Sequence, residues 1–167
     1  MKGPLPPVAA EKPLPRVIPC LLIDRQRLVK TVGFKDPKYI GDPLNAVRIL
    51  NEKQVDELVF LDIGARRDST DPDFALLEGI AQQCFMPFAY GGGIRSMDHI
   101  RRILSLGAEK VVLNTAALAQ PGLVADAARE FGSQSIVVSM DVGRNWLRRR
   151  RVWDGSRRAL GEVDPVA

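Results

Sequence analysis

The sequence predicts an α/β fold, a TIM-type (β/α)8 barrel of which this chain carries about the first five strands and four helices. Three observations predict it. Short, almost continuously apolar runs alternate with helically spaced segments about every 25–30 residues, the spacing of a β/α unit. Tyr90-Gly91-Gly92-Gly93-Ile94-Arg95 closes one such run, and glycines after a strand let backbone approach an anion with no Cβ in the way. Val111-Val112-Leu113-Asn114-Thr115-Ala116 closes the next run, with donors at Asn114 and Thr115. Two neighbouring strand ends able to grip one phosphate place a site on the C-terminal face of a parallel barrel. They imply a phosphorylated small molecule as ligand.

Each element has its own signal. Val17 to Ile23 is apolar between prolines and charges, a first strand. Asp24 to Asp42 reads as a long polar loop, longer than a plain connector. Leu44, Val47 and Leu50 share a helical face, with Asp42 as N-cap and Pro43 in the first turn. Glu57 to Ile63 is a second strand, apolar throughout as a strand buried on both faces should be. A helix over Pro72 to Cys84 leads to a third strand at Met86 to Tyr90. Ser96 caps a helix running to Leu106, and Gly107 ends it. Lys110 to Asn114, Pro121 to Phe131 and Ser135 to Asp141 supply a fourth strand, a fourth helix and a fifth strand. A fifth helix should begin at Asp164-Pro165. A closed barrel needs eight units and roughly 200–250 residues, so the expectation is a barrel truncated before that helix.

Composition narrows the function classes. The chain has 167 residues, 46% hydrophobic and 26% charged, which suits one globular domain rather than a disordered chain. A net charge of +4 fits anionic metabolites. Cys20 and Cys84 form no CxxC pair and sit in apolar runs, so they read as buried free thiols of a cytoplasmic protein. No apolar run approaches the ~20 residues of a membrane span. Residues 1–15 are proline-rich without a signal-peptide core and read as a flexible tail, leaving 16–167 as the barrel part. His99 stands alone on a helix with no second ligand nearby, so no metal is expected.

The motifs together resemble one family. Arg16-Val17-Ile18-Pro19-Cys20-Leu21, Leu28-Val29-Lys30 and Gly41-Asp42-Pro43 carry the likeness, followed by Asp56 to Ile63, Gly91 to Ile94, Asn114 to Ala117 and Phe131-Gly132-Ser133-Gln134 before Asp141. They resemble, in order and spacing, the cyclase subunit of imidazole glycerol phosphate synthase, a ribulose-phosphate-binding-type barrel. The resemblance covers about Arg16 to Pro165. It implies a subunit that accepts ammonia from a docked glutaminase partner and delivers it to a phosphorylated sugar-type substrate. It implies no cofactor, no nucleic acid and no membrane.

The resemblance also implies residue roles. Asp141 ends the fifth strand and matches one of two catalytic aspartates; a carboxylate there is a general acid/base candidate, and the bland alternative is a turn cap. Lys30 matches a lysine of the first loop, where it would neutralise phosphate, against a merely solvated lysine. Asp62 ends the second strand and faces the site in the family, or is a satisfied turn aspartate. Gly91, Gly92, Gly93, Asn114 and Thr115 carry the phosphate role. Arg16, Glu57 and Lys110 begin strands and match three members of a charged ring that gates ammonia at the N-terminal mouth.

One position departs. Where the family has the other catalytic aspartate, this chain has Leu22, and leucine transfers no proton. Asp24, two residues on, shares its face but stands about 6–7 Å further along. The substitution resembles a diverged relative in surface-polysaccharide synthesis that turns an acetamido group on a nucleotide-linked sugar into an acetamidino group. That is the reading preferred from sequence; the alternatives are the histidine-pathway cyclase itself and a non-catalytic module that binds a phosphorylated ligand or the glutaminase. Arg148 to Arg151, with Trp146 and Trp153 nearby, reads as a solvated basic hairpin rather than a nucleic-acid surface.

Overall fold

A computed structural model describes residues 15–154, 159–161 and 165. Five strands form its parallel part: β1 (Cys20–Asp24), β4 (Leu58–Asp62), β5 (Phe88–Gly91), β6 (Lys110–Leu113) and β7 (Ile136–Val138). They lie side by side in chain order. This is a β/α sheet with the winding of a barrel, and it confirms the expected class. The strands are shorter than their apolar runs: β1 starts at Cys20 rather than Val17, and β7 stops at Val138.

Helices cover one face. They are α1 (Pro43–Glu52), α3 (Phe74–Gln83), α4 (Met97–Ser105) and α6 (Pro121–Phe131). Asp42 caps α1 by accepting from the Asn45 N–H at 2.9 Å, with Pro43 in the first turn, as the sequence predicts. Asp73 and Ser96 cap α3 and α4 in the same way. Ile23, Leu58, Phe60, Leu77, Ile80, Tyr90, Ile100 and Ile103 are almost fully buried between these helices and the sheet. Phe60 and Phe88 meet edge to face, centroids 6.0 Å apart. Each such side chain contributes about 1.5–3 kcal/mol by leaving water, which makes this layer the main source of stability.

Two expectations are corrected, and two short helices are added. Residues 24–42 are not a loop: β2 (Arg27–Val32) and β3 (Lys35–Gly41) extend the sheet beyond β1 as antiparallel strands. Tight turns close both pairs, with positive φ at Arg25 and Gln26 and again at Gly33 and Phe34. Two-residue turns of this kind match strand twist, but the usual signal is Asn-Gly or Asp-Gly, which neither turn carries. Two short helices follow strand ends directly, α2 (Ile63–Arg67) and α5 (Thr115–Ala119). Cys20 is exposed rather than buried and Cys84 half-buried, both free thiols; Cys20 lies on the sheet face opposite the helices.

After β7 the chain forms a second small sheet, β8 (Val142–Arg144), β9 (Arg150–Asp154) and β10 (Ala159–Leu160). Residues 1–14 of the expected tail and Asp164 of the expected fifth helix lie outside the described residues.

Candidate functional site

The C-terminal ends of the parallel strands and the segments just beyond them carry the residues predicted to bind phosphate, together with Asp62 and Asp141. Asp62 ends β4, Gly91 ends β5, and Asn114 follows β6. Asp141 lies beyond β7, where a backbone hydrogen bond from Ser139 to the Leu113 carbonyl carries the chain on beside β6. Asn114 Nδ2 donates to Asp141 Oδ2 at 3.3 Å. The structure therefore joins two of the predicted residues directly. A carboxylate with one oxygen fixed by an amide keeps the other oxygen available for a proton.

The glycines have a packing reason as well as an anion-binding one. A Cβ on Gly92, at φ +123°, would lie 2.4 Å from the Asp62 carbonyl oxygen. One on Gly93, at φ +70°, would lie 2.9 Å from the Thr70 carbonyl oxygen. Any side chain would collide with backbone here, so the run brings β5 against the ends of β4 and of the segment before α3.

Asp62 caps a helix with one of its oxygens. Its Oδ1 accepts from the Gly64 and Ala65 N–H groups, both at 2.9 Å, and so caps α2. Burial pushes its carboxyl above the usual range; those two N–H groups oppose the shift, and Asp73 and Asp24 add to it. A cavity of about 380 Å³ beside it is lined by Asp62, Asp68, Asp71 and Asp73 with Arg25. That lining repels phosphate, so the cavity is not the phosphate site the glycines suggest.

Lys30 lies on β2 with its side chain exposed, on a paired strand instead of a free loop. Leu22 pairs with Leu61 on one side and Val29 on the other, an apolar setting with no carboxylate in register. Asp24, the nearest carboxylate along β1, is held by an ion pair. Arg67 donates to both its oxygens, at 3.0 and 2.7 Å, and that guanidinium holds the carboxyl below its ordinary value. Arg67 also bonds Asp68, which bonds Arg25. This network tying the β1–β2 turn to α2 has no signature in the sequence, because its members stand 43 residues apart.

The opposite end of the sheet gathers the three predicted gate residues. Lys110 Nζ meets Glu57 Oε1 at 2.6 Å, and Arg16 approaches Glu57 Oε2 at 4.0 Å. Glu57 is the buried charged residue among the described ones, at 6% exposure. One carboxylate thus links the starts of β4 and β6 to the segment before β1. His99 Nε2 lies 3.8 Å from Asp71, and its ring packs edge-on against Phe74; among the described residues no cluster of His, Cys, Asp and Glu could hold a metal ion. No helix among them is long and apolar enough to cross a membrane. Among the described residues three buried side-chain atoms have no hydrogen-bond partner: the Tyr90 hydroxyl, His99 Nδ1 and, at the phosphate position, Thr115 Oγ1.

A parallel β/α-barrel segment with a charged bridge at its N-terminal mouth and an amide–carboxylate pair beside a glycine turn at its C-terminal mouth is the class these features define. The chain belongs to the histidine biosynthesis protein family, whose model matches residues 16–165 and whose fold is a (β/α)8 barrel. It is 53% identical over 140 residues to a Pseudomonas aeruginosa protein named "Putative imidazole glycerol phosphate synthase subunit hisF2", covering 84% of this chain and 53% of that one. A Leptospira borgpetersenii protein, named as subunit HisF of the same synthase, is 48% identical over 81% of this chain and 54% of its own length. A Vibrio vulnificus protein named as subunit hisF3 is 53% identical over 76% and 49%. The chain spans about half the length of these relatives.

Proposed function

We propose that this chain is the N-terminal part of the ammonia-accepting, cyclase-type subunit of a glutamine-dependent synthase. The bridge of Arg16, Glu57 and Lys110 carries the reading. Three charges converging at the N-terminal mouth of a barrel serve no packing need that apolar side chains would not meet better. They suit a gate that opens when a glutaminase docks. Ammonia would pass to the other mouth, where a phosphorylated substrate is held by the Gly91–Gly93 turn and by Asn114 and Thr115, and Asp141 would exchange the proton. Lys30 would neutralise the substrate's charge from β2. The names of the relatives favour imidazole glycerol phosphate synthase as the enzyme.

A second reading rests on Leu22. With leucine at the strand 1 position and Asp24 held by Arg67, a proton relay between two carboxylates has one member. Amidination of a nucleotide-linked sugar needs ammonia delivery without ring closure and tolerates that loss.

The test measures glutamate release by a glutaminase subunit of such a synthase. It is mixed with this chain, and with a chain extended to the relatives' length, with and without phosphorylated ligands. Ligand-dependent stimulation supports the ammonia reading, and no response from either chain refutes it. Leu22→Asp in the extended chain separates the two enzymes. A gain of at least tenfold in imidazole formation marks a cyclase weakened by one residue. No gain, alongside stimulation by sugar substrates, favours the amidinating enzyme.

A further inference from the structure

The hairpin of β8 and β9 carries a charge pattern that its own fold does not explain. Arg144 and Arg150 are directly opposite in the ladder. Facing side chains on antiparallel strands have Cβ atoms about 4.5–5.5 Å apart, and like charges there are destabilising. Arg148 and Arg149 sit in the connecting turn, which two hydrogen bonds close: the Asn145 N–H donates to the Arg149 carbonyl at 3.0 Å, and the Arg149 N–H returns to Asn145 Oδ1 at 2.9 Å. None of these four guanidiniums has a carboxylate partner among the described residues. Trp146, 88% exposed, stands at the same turn. The hairpin is fastened to the candidate site, because the Trp153 N–H donates to the Asp141 carbonyl at 2.6 Å.

We infer that this hairpin is an anion clamp for a diphosphate group, the part of the substrate remote from the reacting atoms. Four cations on one hairpin, none with a carboxylate partner among the described residues, exceed what one phosphate neutralises, and two adjacent phosphates match them better. The fork of a guanidinium suits bidentate phosphate contact. An anion between Arg144 and Arg150 turns their repulsion into attraction. The inference deepens the function proposed above and rests on it for the role of Asp141; the clamp itself rests on the hairpin.

The experiment is calorimetric titration of the full chain with inorganic pyrophosphate and with orthophosphate, followed in parallel by tryptophan fluorescence. Pyrophosphate should bind at least tenfold more tightly than orthophosphate and change the emission of Trp146, a change lost in Trp146→Phe. Arg144→Gln and Arg150→Gln should each weaken pyrophosphate at least tenfold while leaving the melting temperature equal or higher. Arg144→Lys, which keeps the charge without the fork, should lose less. Arg129→Gln, a control on α6, should change nothing. Equal affinity for the two anions, or wild-type affinity in the Arg144 and Arg150 variants, overturns the clamp. So does a ten-nucleotide RNA that binds a hundredfold more tightly than pyrophosphate with affinity falling steeply in salt, which marks a nucleic-acid surface. If pyrophosphate binds as expected while no phosphorylated ligand stimulates a glutaminase, the clamp stands and the ammonia reading falls.

Discussion

The two ends of the parallel sheet handle charge in opposite ways. At the N-terminal end Glu57 is buried and both neighbouring cations converge on it. At the C-terminal end the polar groups are only partly satisfied among the described residues: Asn114 holds one oxygen of Asp141, Thr115 Oγ1 is buried without a partner, and Arg144 and Arg150 face each other on the adjoining hairpin with no carboxylate between them. An end that is internally balanced can be shut in the absence of any ligand. An end left unbalanced has charge and hydrogen-bonding capacity to offer one. The difference teaches where to look for recognition on a sheet whose strands are otherwise uniformly apolar.

The largest expected effect breaks the packing under the unbalanced end. Gly92→Ala puts a methyl group against the Asp62 carbonyl at a positive φ. A loss of about 3 kcal/mol is expected from strain and collision together, read as a fall in melting temperature. A change under 1 kcal/mol would mean that the turn shifts freely, and the packing account of the glycines would fail.

Next comes the balanced end. Glu57→Gln leaves the half-buried Lys110 with only the more exposed Glu109, 3.7 Å away, and should cost about 2 kcal/mol, below the 3–5 kcal/mol of a fully buried pair because Lys110 keeps some water and that second carboxylate. Adding Lys110→Met should restore most of it, since the pair is coupled. Additive losses in a double-mutant cycle would show that the bridge does not hold this mouth together.

Asn114→Ala sharpens the contrast by separating stability from ligand response. Removing one half-exposed hydrogen bond should cost roughly 1 kcal/mol or less. In the extended chain it should lower ligand-dependent glutaminase stimulation at least tenfold. Equal losses of melting temperature and stimulation would make the residue structural only.

The smallest effect is a pH dependence at Asp62. Its carboxyl is raised by burial, so the folded state holds that proton more tightly than the unfolded chain. Its contribution to stability is then present below the unfolded value and lost as pH rises through the folded one. Asp62→Asn keeps an oxygen for the cap and removes the buried charge. It should raise the melting temperature at pH 7 and cease to do so near pH 3. A variant less stable than wild type at pH 7 would show that the charge aids the cap more than burial costs.

Legibility in the sequence followed the range of the forces involved. The helices on Pro43, Ser96 and Pro121 were visible because caps and first-turn prolines are local. The parallel strands were visible because burial on both faces leaves an apolar run. The ends of those runs were not: Val17 to Pro19 are apolar yet lie outside β1, since a strand ends where its partners end. The β2–β3 pair was hidden because its turns use Arg-Gln and Gly-Phe at positive φ. At the site, the types and order of Asn114, Asp141, Glu57 and Lys110 could be read from motifs, and their meetings across 27 and 53 residues came from the fold. The capture of Asp24 by Arg67 left no local trace, because an ion pair between distant segments imposes no pattern on either.

The sealed hydroxyl of Tyr90 gives the molecule an optical clock. The chain has two tyrosines. Tyr39 is 64% exposed on β3, and Tyr90 is 1% exposed beneath the glycine turn, its ionisation driven upward by burial. Hydroxide reaches Tyr90 only when β5 and its helices part. An alkaline jump followed at the tyrosinate absorbance should therefore show a slow phase from Tyr90. The slow phase times the opening of the core in a protein carrying no label.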